Sequence, residues 1–415
     1  MAGIRAKGVY KIFGDRPEAA LELLDQGKTK GEVQAETGQV VGVQNVSFEL
    51  ESGSLFVIMG LSGSGKSTLL RCINRLVEPT AGEIVIEAEE GDIEIASLSR
   101  KALRRVREKK IAMIFQHFAL FPYRTVLSNA TFGLEIQGMG KKERSRKGME
   151  ILELVGLKEW ADSYPDQLSG GMQQRVGLAR ALASEGEILL MDEPFSALDP
   201  LIRVYMQTEL VRLQQEIKRT ILVVSHDLDE ALKLGDRIAI MEDGRIVQAG
   251  TPENIIVNPR TEYVAKFVEQ ADATGVLTAR TIAKSVSVTS ERPRELQAQK
   301  AKAPYFVMDE DLICCMDENH RPVTCFRNGK ALKVKGLDSS LDDADLCDVV
   351  FCAKEDTSVR ELMEARLKSS DNPFIVLSSQ GKFRGIITEH EILRGILEKG
   401  RTDLEASEGE REGES

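Results

Sequence analysis

Short, unbroken apolar runs recur through the first two-thirds of the chain. Leu55-Phe56-Val57-Ile58-Met59, Ile111-Ala112-Met113-Ile114-Phe115, Ile188-Leu189-Leu190-Met191 and Ile221-Leu222-Val223-Val224 lack alternation. Runs of this length predict strands buried on both faces. Helical stretches separate them: Thr68–Leu76, Leu98–Lys110, Lys141–Val155, Gln173–Ala183 and Leu201–Lys218. Strands alternating with helices predict an α/β fold. Residues 4–14, Val43–Leu50 and Glu83–Ile86 read as further strands, and Arg237–Gln248 as a hairpin turning at Gly244. Residues 15–42 read as a surface insertion with one or two helices. Residues 118–133 read as an apolar loop carrying Pro122 and Gly133.

One stretch carries chemistry by spacing alone. Gly60-Leu61-Ser62-Gly63-Ser64-Gly65-Lys66-Ser67-Thr68 fits the pattern of Gly, four residues, then Gly-Lys-Ser between a strand and a helix. Its glycines let backbone amides close on phosphate oxygens, and the helix start adds a positive dipole end. Lys66 offers a point charge to β- and γ-phosphates, and the Ser67 hydroxyl a ligand for Mg²⁺.

Other strand ends carry polar groups. Gln116 closes one run, Asp192-Glu193 another and His226-Asp227 a third. Ligands of such sheets gather at the carboxyl ends of strands. There Asp192 suits Mg²⁺, Glu193 suits the polarisation of a water, and His226 suits a γ-phosphate. Ser169-Gly170-Gly171 opens a helix and offers a second anion-binding start. Taken singly, Ser169 reads better as an ordinary cap and Gln116 and His226 carry weak signals, while Asp192 and Glu193 together, in this order after a phosphate loop, fit solvated strand ends poorly.

Composition narrows the class. At 415 residues the chain expects two or three domains, and 42% hydrophobic with 29% charged content is that of a globular protein. A net charge of −11 argues against a nucleic-acid binder. The six cysteines include adjacent Cys314 and Cys315 but no paired metal spacing, so reduced thiols are expected. No apolar stretch reaches the ~18 residues of a membrane span.

These segments, in this order, resemble the ATP-binding subunits of ABC transporters over about residues 4–270. By that resemblance Gly60–Thr68, with Ser62, Gly63, Ser64 and Gly65, is the Walker A loop and Gln116 the Q-loop residue at the metal. Leu168–Gln173 is the signature motif, Ile188–Asp192 is Walker B, and Glu193 is the catalytic carboxylate. Asp199 closes the D-loop, His226 is the switch histidine, and Phe13 or Tyr10 stacks on adenine. The implied cofactors are ATP and Mg²⁺, and the implied assembly is a head-to-tail homodimer on membrane permease subunits at the cytoplasmic face, with a substrate-binding protein. Lys11–Gly14, Phe195–Arg203 and Ser225–Ala231 look like the glycine betaine/proline uptake branch. Choline, carnitine or an amino acid are the alternative solutes. A soluble ABC protein acting on ribosomes or DNA is the rival class, but it usually has two cassettes or a long coiled coil.

That branch carries two CBS modules after the ATPase, which implies a tandem CBS-type α/β domain over residues 271–400. Residues 349–397 fit one module, while Ala273–Val334 is more degenerate. The ribose-holding Thr and Asp of such modules correspond here to Thr388 and Glu391, a departure that bears on any nucleotide there. Residues 401–415 are acidic and read as a disordered tail. The expectation is that these modules and the tail gate activity by ionic strength, since screening weakens charge contacts.

Overall fold

The computed structural model describes residues 2–116, 119–184, 186–296, 303–309, 311–337, 348–368 and 372–397. Phe118, Cys347 and the acidic tail lie outside the described residues. The chain divides into two compact units, residues 1–255 with 259–267, and residues 256–258 with 268–415.

In the first unit, β1 (Ala2–Phe13), β2 (Val40–Leu50), β3 (Leu55–Met59), β4 (Ala81–Ala88), β5 (Ile93–Glu94), β6 (Ile111–Ile114), β7 (Ile188–Asp192), β8 (Thr220–Ser225), β9 (Arg237–Glu242) and β10 (Arg245–Gly250) make two sheets. One is antiparallel, in the order β2-β1-β4-β5. The other runs β10-β9-β3-β8-β7-β6 and is parallel except for the β9–β10 hairpin. The unbroken apolar runs are β3, β8 and β7 at its centre and β6 at its edge, and every residue of β3, β7 and β8 is buried. The two sheets share a core in which Phe48 of β2 stacks on Phe56 of β3, with ring centres 5.3 Å apart. Leu69, Leu70 and Ile73, on the helix Lys66–Ile73, fill the same core.

The insertion at residues 15–42 holds two helices, Pro17–Asp25 and Lys30–Thr37. A small cluster of Ile12, Ala20, Leu24, Val33 and Val41 fastens them down. The stretch expected to be an apolar loop is partly helical instead, over Val126–Ala130 and Phe132–Ile136. Thr125 starts the first of these by accepting a hydrogen bond from Ser128 N at 3.2 Å. Gly133 lies inside the second, where a Cβ would stand 3.4 Å from Ser184 Cβ. With Lys141–Leu154 and Gly170–Ala183, these helices form a helical subdomain.

The second unit contains one eight-stranded sheet of β11 (Val288–Thr289), β12 (Tyr305–Asp309), β13 (Leu312–Met316), β14 (Pro322–Arg327), β15 (Lys330–Gly336), β16 (Val349–Lys354), β17 (Phe374–Leu377) and β18 (Phe383–Ile387). Residues 349–397 run strand, helix, strand, strand, helix, with helices Val359–Lys368 and Glu389–Leu397. From β11 to β15 the strands form an antiparallel meander.

Candidate functional site

Parallel pairing places four loops on one edge of the first unit's sheet. Met59 pairs with Ser225, Asp192 with Val224, and Ile114 with Met191. The residues that follow β3, β6, β7 and β8 therefore emerge together. They are the phosphate loop, Gln116, Glu193 and His226.

The phosphate loop is a backbone construction. Gly60, Gly63 and Gly65 all have positive φ, of 151°, 82° and 101°. At Gly65 a Cβ would stand 2.3 Å from Gly42 O, so only glycine fits. The β9–β10 turn braces the loop, since Gly244 N donates to Ser64 O at 3.0 Å. Tyr263 adds a second brace: its hydroxyl accepts from Leu61 N at 3.3 Å and donates to Met241 O at 3.4 Å. Ser62 and Gly63 are exposed at the loop's rim, and Ser64 is buried.

Lys66 is buried and folds back, its ammonium donating to Gly60 O at 2.7 Å and Leu61 O at 2.8 Å. Burial lowers its pKa, and the charges of Glu193 and Asp192 oppose that shift. Ser67 Oγ donates to Asp192 Oδ1 at 2.6 Å, while Arg71 Nη2 lies 3.2 Å from Asp192 Oδ2. Asp192 is fully buried. A hydroxyl facing a buried carboxylate is a hard-oxygen donor set, and it fits Mg²⁺.

Glu193 is held above this pair. Its backbone is left-handed at φ 49°, unusual for a residue with a side chain. Glu193 N donates to Val224 O at 3.0 Å, and its carbonyl accepts from Gln174 Nε2 at 3.1 Å and Ser196 Oγ at 3.1 Å. Gln174 also accepts from Ala197 N at 3.0 Å. Glu193 Oε2 accepts from Gln116 Nε2 at 3.3 Å, and His226 Nδ1 lies 3.4 Å from the same oxygen. Gln174, Tyr263 and Arg71 escaped the sequence reading. The one signal for Gln174 was a buried amide one turn into the helix that follows the glycine pair.

The remaining candidates fall elsewhere. Phe13 is 41% exposed and lies against Gly42, where a Cβ would stand 2.8 Å from its ring and 3.2 Å from Thr68 Cγ2. Tyr10 packs on the insertion's cluster instead. Ser169 caps its own helix, accepting from Met172 N at 3.3 Å, with Gly170 and Gly171 as the first helical residues. Asp199 caps the helix Pro200–Ile217 by accepting from Ile202 N at 3.1 Å. In the second unit, Thr388 N and Oγ1 both donate to Glu391, the N–H bond at 2.9 Å, so this pair caps its own helix.

An edge of this kind binds and hydrolyses a nucleoside triphosphate, and its union with an antiparallel sheet and a helical subdomain is that of an ATP-binding cassette. The ABC transporter family model matches residues 43–196. The glycine betaine transport ATP-binding protein OpuAA of Bacillus subtilis is 45% identical over 413 residues, covering 99% of this chain and 95% of that protein. The glycine betaine/proline betaine transport system ATP-binding protein ProV of Escherichia coli is 43% identical over 406 residues, covering 96% and 98%. A dimeric ATP-binding cassette solved in a post-hydrolysis state with ADP and Pi superposes with a TM-score of 0.52 at 32% identity, covering 60% of this chain and 98% of that one. The chain belongs to the ABC transporter ATP-binding proteins, in the branch of those two transport proteins. It is an ATPase whose hydrolysis is coupled to transport, with ATP and Mg²⁺ at its site.

Proposed function

We propose that this chain energises import of glycine betaine or a close quaternary amine, working as a homodimer beneath membrane permease subunits with a substrate-binding protein. Full-length likeness to two betaine transport ATP-binding proteins supports the solute class. Among the described residues no helix is long and apolar enough to cross a membrane, so the pathway for the solute falls to the partners.

The observation that carries the mechanism is Glu193 Oε2 meeting Gln116 and His226 beside the Ser67–Asp192 pair. In this reading the loop amides and Lys66 bind the phosphates, and Phe13 covers the adenine. Ser67 and Asp192, with Gln116 beside them, hold Mg²⁺, which offsets phosphate charge when bound. Glu193 takes the proton of the attacking water, and His226 orients the γ-phosphate. Ser169, Gly170, Gly171 and Asp199 face the nucleotide of the second copy, which closes the dimer until hydrolysis removes the bridging phosphate. Residues 349–397 act as a CBS-type module. They gate transport by ionic strength, with the Thr388–Glu391 pair serving as a cap and not as a ribose site.

The test is ATP hydrolysis by the reconstituted transporter, wild type against Glu193→Gln, with and without glycine betaine and its binding protein. Turnover stimulated by betaine and reduced about 10²–10⁴-fold in the variant is expected. Turnover lost in the variant yet indifferent to betaine overturns the solute.

A further inference from the structure

Behind Glu193 and His226 lies a small polar cavity that the proposed mechanism leaves unused. Glu193, Ser196, Arg203, Ser225, His226 and Glu230 line it. Glu230, one turn into the helix Leu228–Leu234, is 8% exposed. Its Oε2 accepts from Ser225 Oγ at 2.8 Å, but its Oε1 has no partner. Arg203, one turn into the helix Pro200–Ile217, likewise leaves a buried Nε without a partner. A buried donor and a buried acceptor without partners are both costly, so two residues lining one cavity call for a bridging group. The cavity offers about 20 Å³ to a water, which is room for one molecule.

We propose that Glu230, bridged to Arg203 by one water, receives the proton that leaves the attacking water by way of Glu193. The inference rests on Glu193 being the base. As the new O–P bond forms and the bond to the β-phosphate oxygen breaks, the electron pair leaves with ADP. The water's proton passes to the Glu193 carboxylate, then through the cavity water to the Glu230 carboxylate. It returns to phosphate or solvent when the site opens. Glu230 touches no reacting atom and takes the proton only through Glu193 and the cavity water.

The surroundings suit a group that changes protonation near neutrality. Burial pushes the Glu230 carboxyl up to about 7, opposed by the Ser225 hydrogen bond and the Arg203 charge and reinforced by the charges of Asp227 and Glu193. His226 and Ser196 also line the cavity. β3, also packed on the helix of Glu230, contributes only apolar side chains. The local loop is tied so that Glu230 stays in register: Asp227 N donates to Ser225 Oγ at 3.1 Å, and Glu230 N to Asp227 Oδ1 at 3.1 Å.

The experiment is the pH profile of kcat for the reconstituted transporter, for wild type, Glu230→Gln, Arg203→Met and Glu193→Gln. An ionised Glu230 is needed to accept the proton, so the ratio of wild-type to Glu230→Gln turnover should grow about tenfold as pH rises through neutrality. A ratio independent of pH makes Glu230 a merely structural residue and overturns the inference. If Glu230→Gln fails to assemble, Arg203→Met decides. Removing that positive charge should move the wild-type limb to higher pH, and an unmoved limb overturns the inference. Retained activity in Glu193→Gln would instead strike the base assignment itself.

Discussion

Ser67 Oγ donates a 2.6 Å hydrogen bond to Asp192 Oδ1 across 125 positions of sequence, joining the start of the phosphate-loop helix to the end of β7. The other carboxylate oxygen faces Arg71 at 3.2 Å, so both oxygens of Asp192 serve as acceptors. An asparagine offers only one acceptor and no charge. Asp192→Asn should lower turnover about 10²–10³-fold and raise the Mg²⁺ concentration needed for half-maximal activity. Titrating Mg²⁺ against ATPase rate checks this. An unchanged Mg²⁺ requirement would remove Asp192 from the metal site.

Gln174 spans from Glu193 O at 3.1 Å to Ala197 N at 3.0 Å. It thereby holds a left-handed Glu193 in place from the helix Gly170–Ala183. Gln174→Ala frees that backbone, and misplacement of a reacting group by about 1 Å costs up to about 10²-fold in rate. Turnover should fall by about 10–10²-fold while ATP binding, read by nucleotide fluorescence, stays near wild type. A fall in affinity with unchanged kcat would contradict this role.

How much of this was legible beforehand depended on locality. The phosphate loop, Asp192, Glu193 and His226 are short-range patterns at the ends of apolar runs, and register alone brings them to one edge. Gln174 and Tyr263 act through hydrogen bonds to residues 19 and 202 positions away, and no local pattern marks such pairs. The segment before Gly133 reads as loop because Pro122 and Gly133 outweigh the Thr125 cap in local propensity. In the second unit, residues 349–397 are legible through their resemblance to one module, and the structure adds the strand Val349–Lys354 at its start. The meander from β11 to β15 is not legible, because its pairing is set across strands.

Gly65 tests the cradle itself. Its φ is 101°, and a Cβ there would meet Gly42 O at 2.3 Å. Backbone strain of this kind costs about 1–3 kcal/mol. Gly65→Ala should lower the melting temperature and abolish nucleotide binding, because the loop must shift to admit the methyl group. Calorimetric titration with ATP, alongside a thermal melt, measures both. Wild-type affinity in the alanine variant would mean that the loop binds nucleotide in a different shape.

Glu230 also sets a pH dependence of folding that is separate from turnover. Its carboxyl titrates at about 7 in the folded chain, against an ordinary value of 4.5. Between those values the native state holds a proton that the unfolded state has released, so stability falls as pH rises. The contribution is complete below the ordinary value and is lost as pH climbs through about 7. The shift corresponds to about 3 kcal/mol. Glutamine resembles the protonated acid and cannot ionise. In denaturant unfolding, Glu230→Gln should therefore match wild type below about pH 4.5 and exceed it by a growing margin as pH rises to about 7, with a constant margin beyond. Parallel stability curves would mean that the carboxyl ionises alike in both states, and the cavity would then have to be wet enough to solvate its charge.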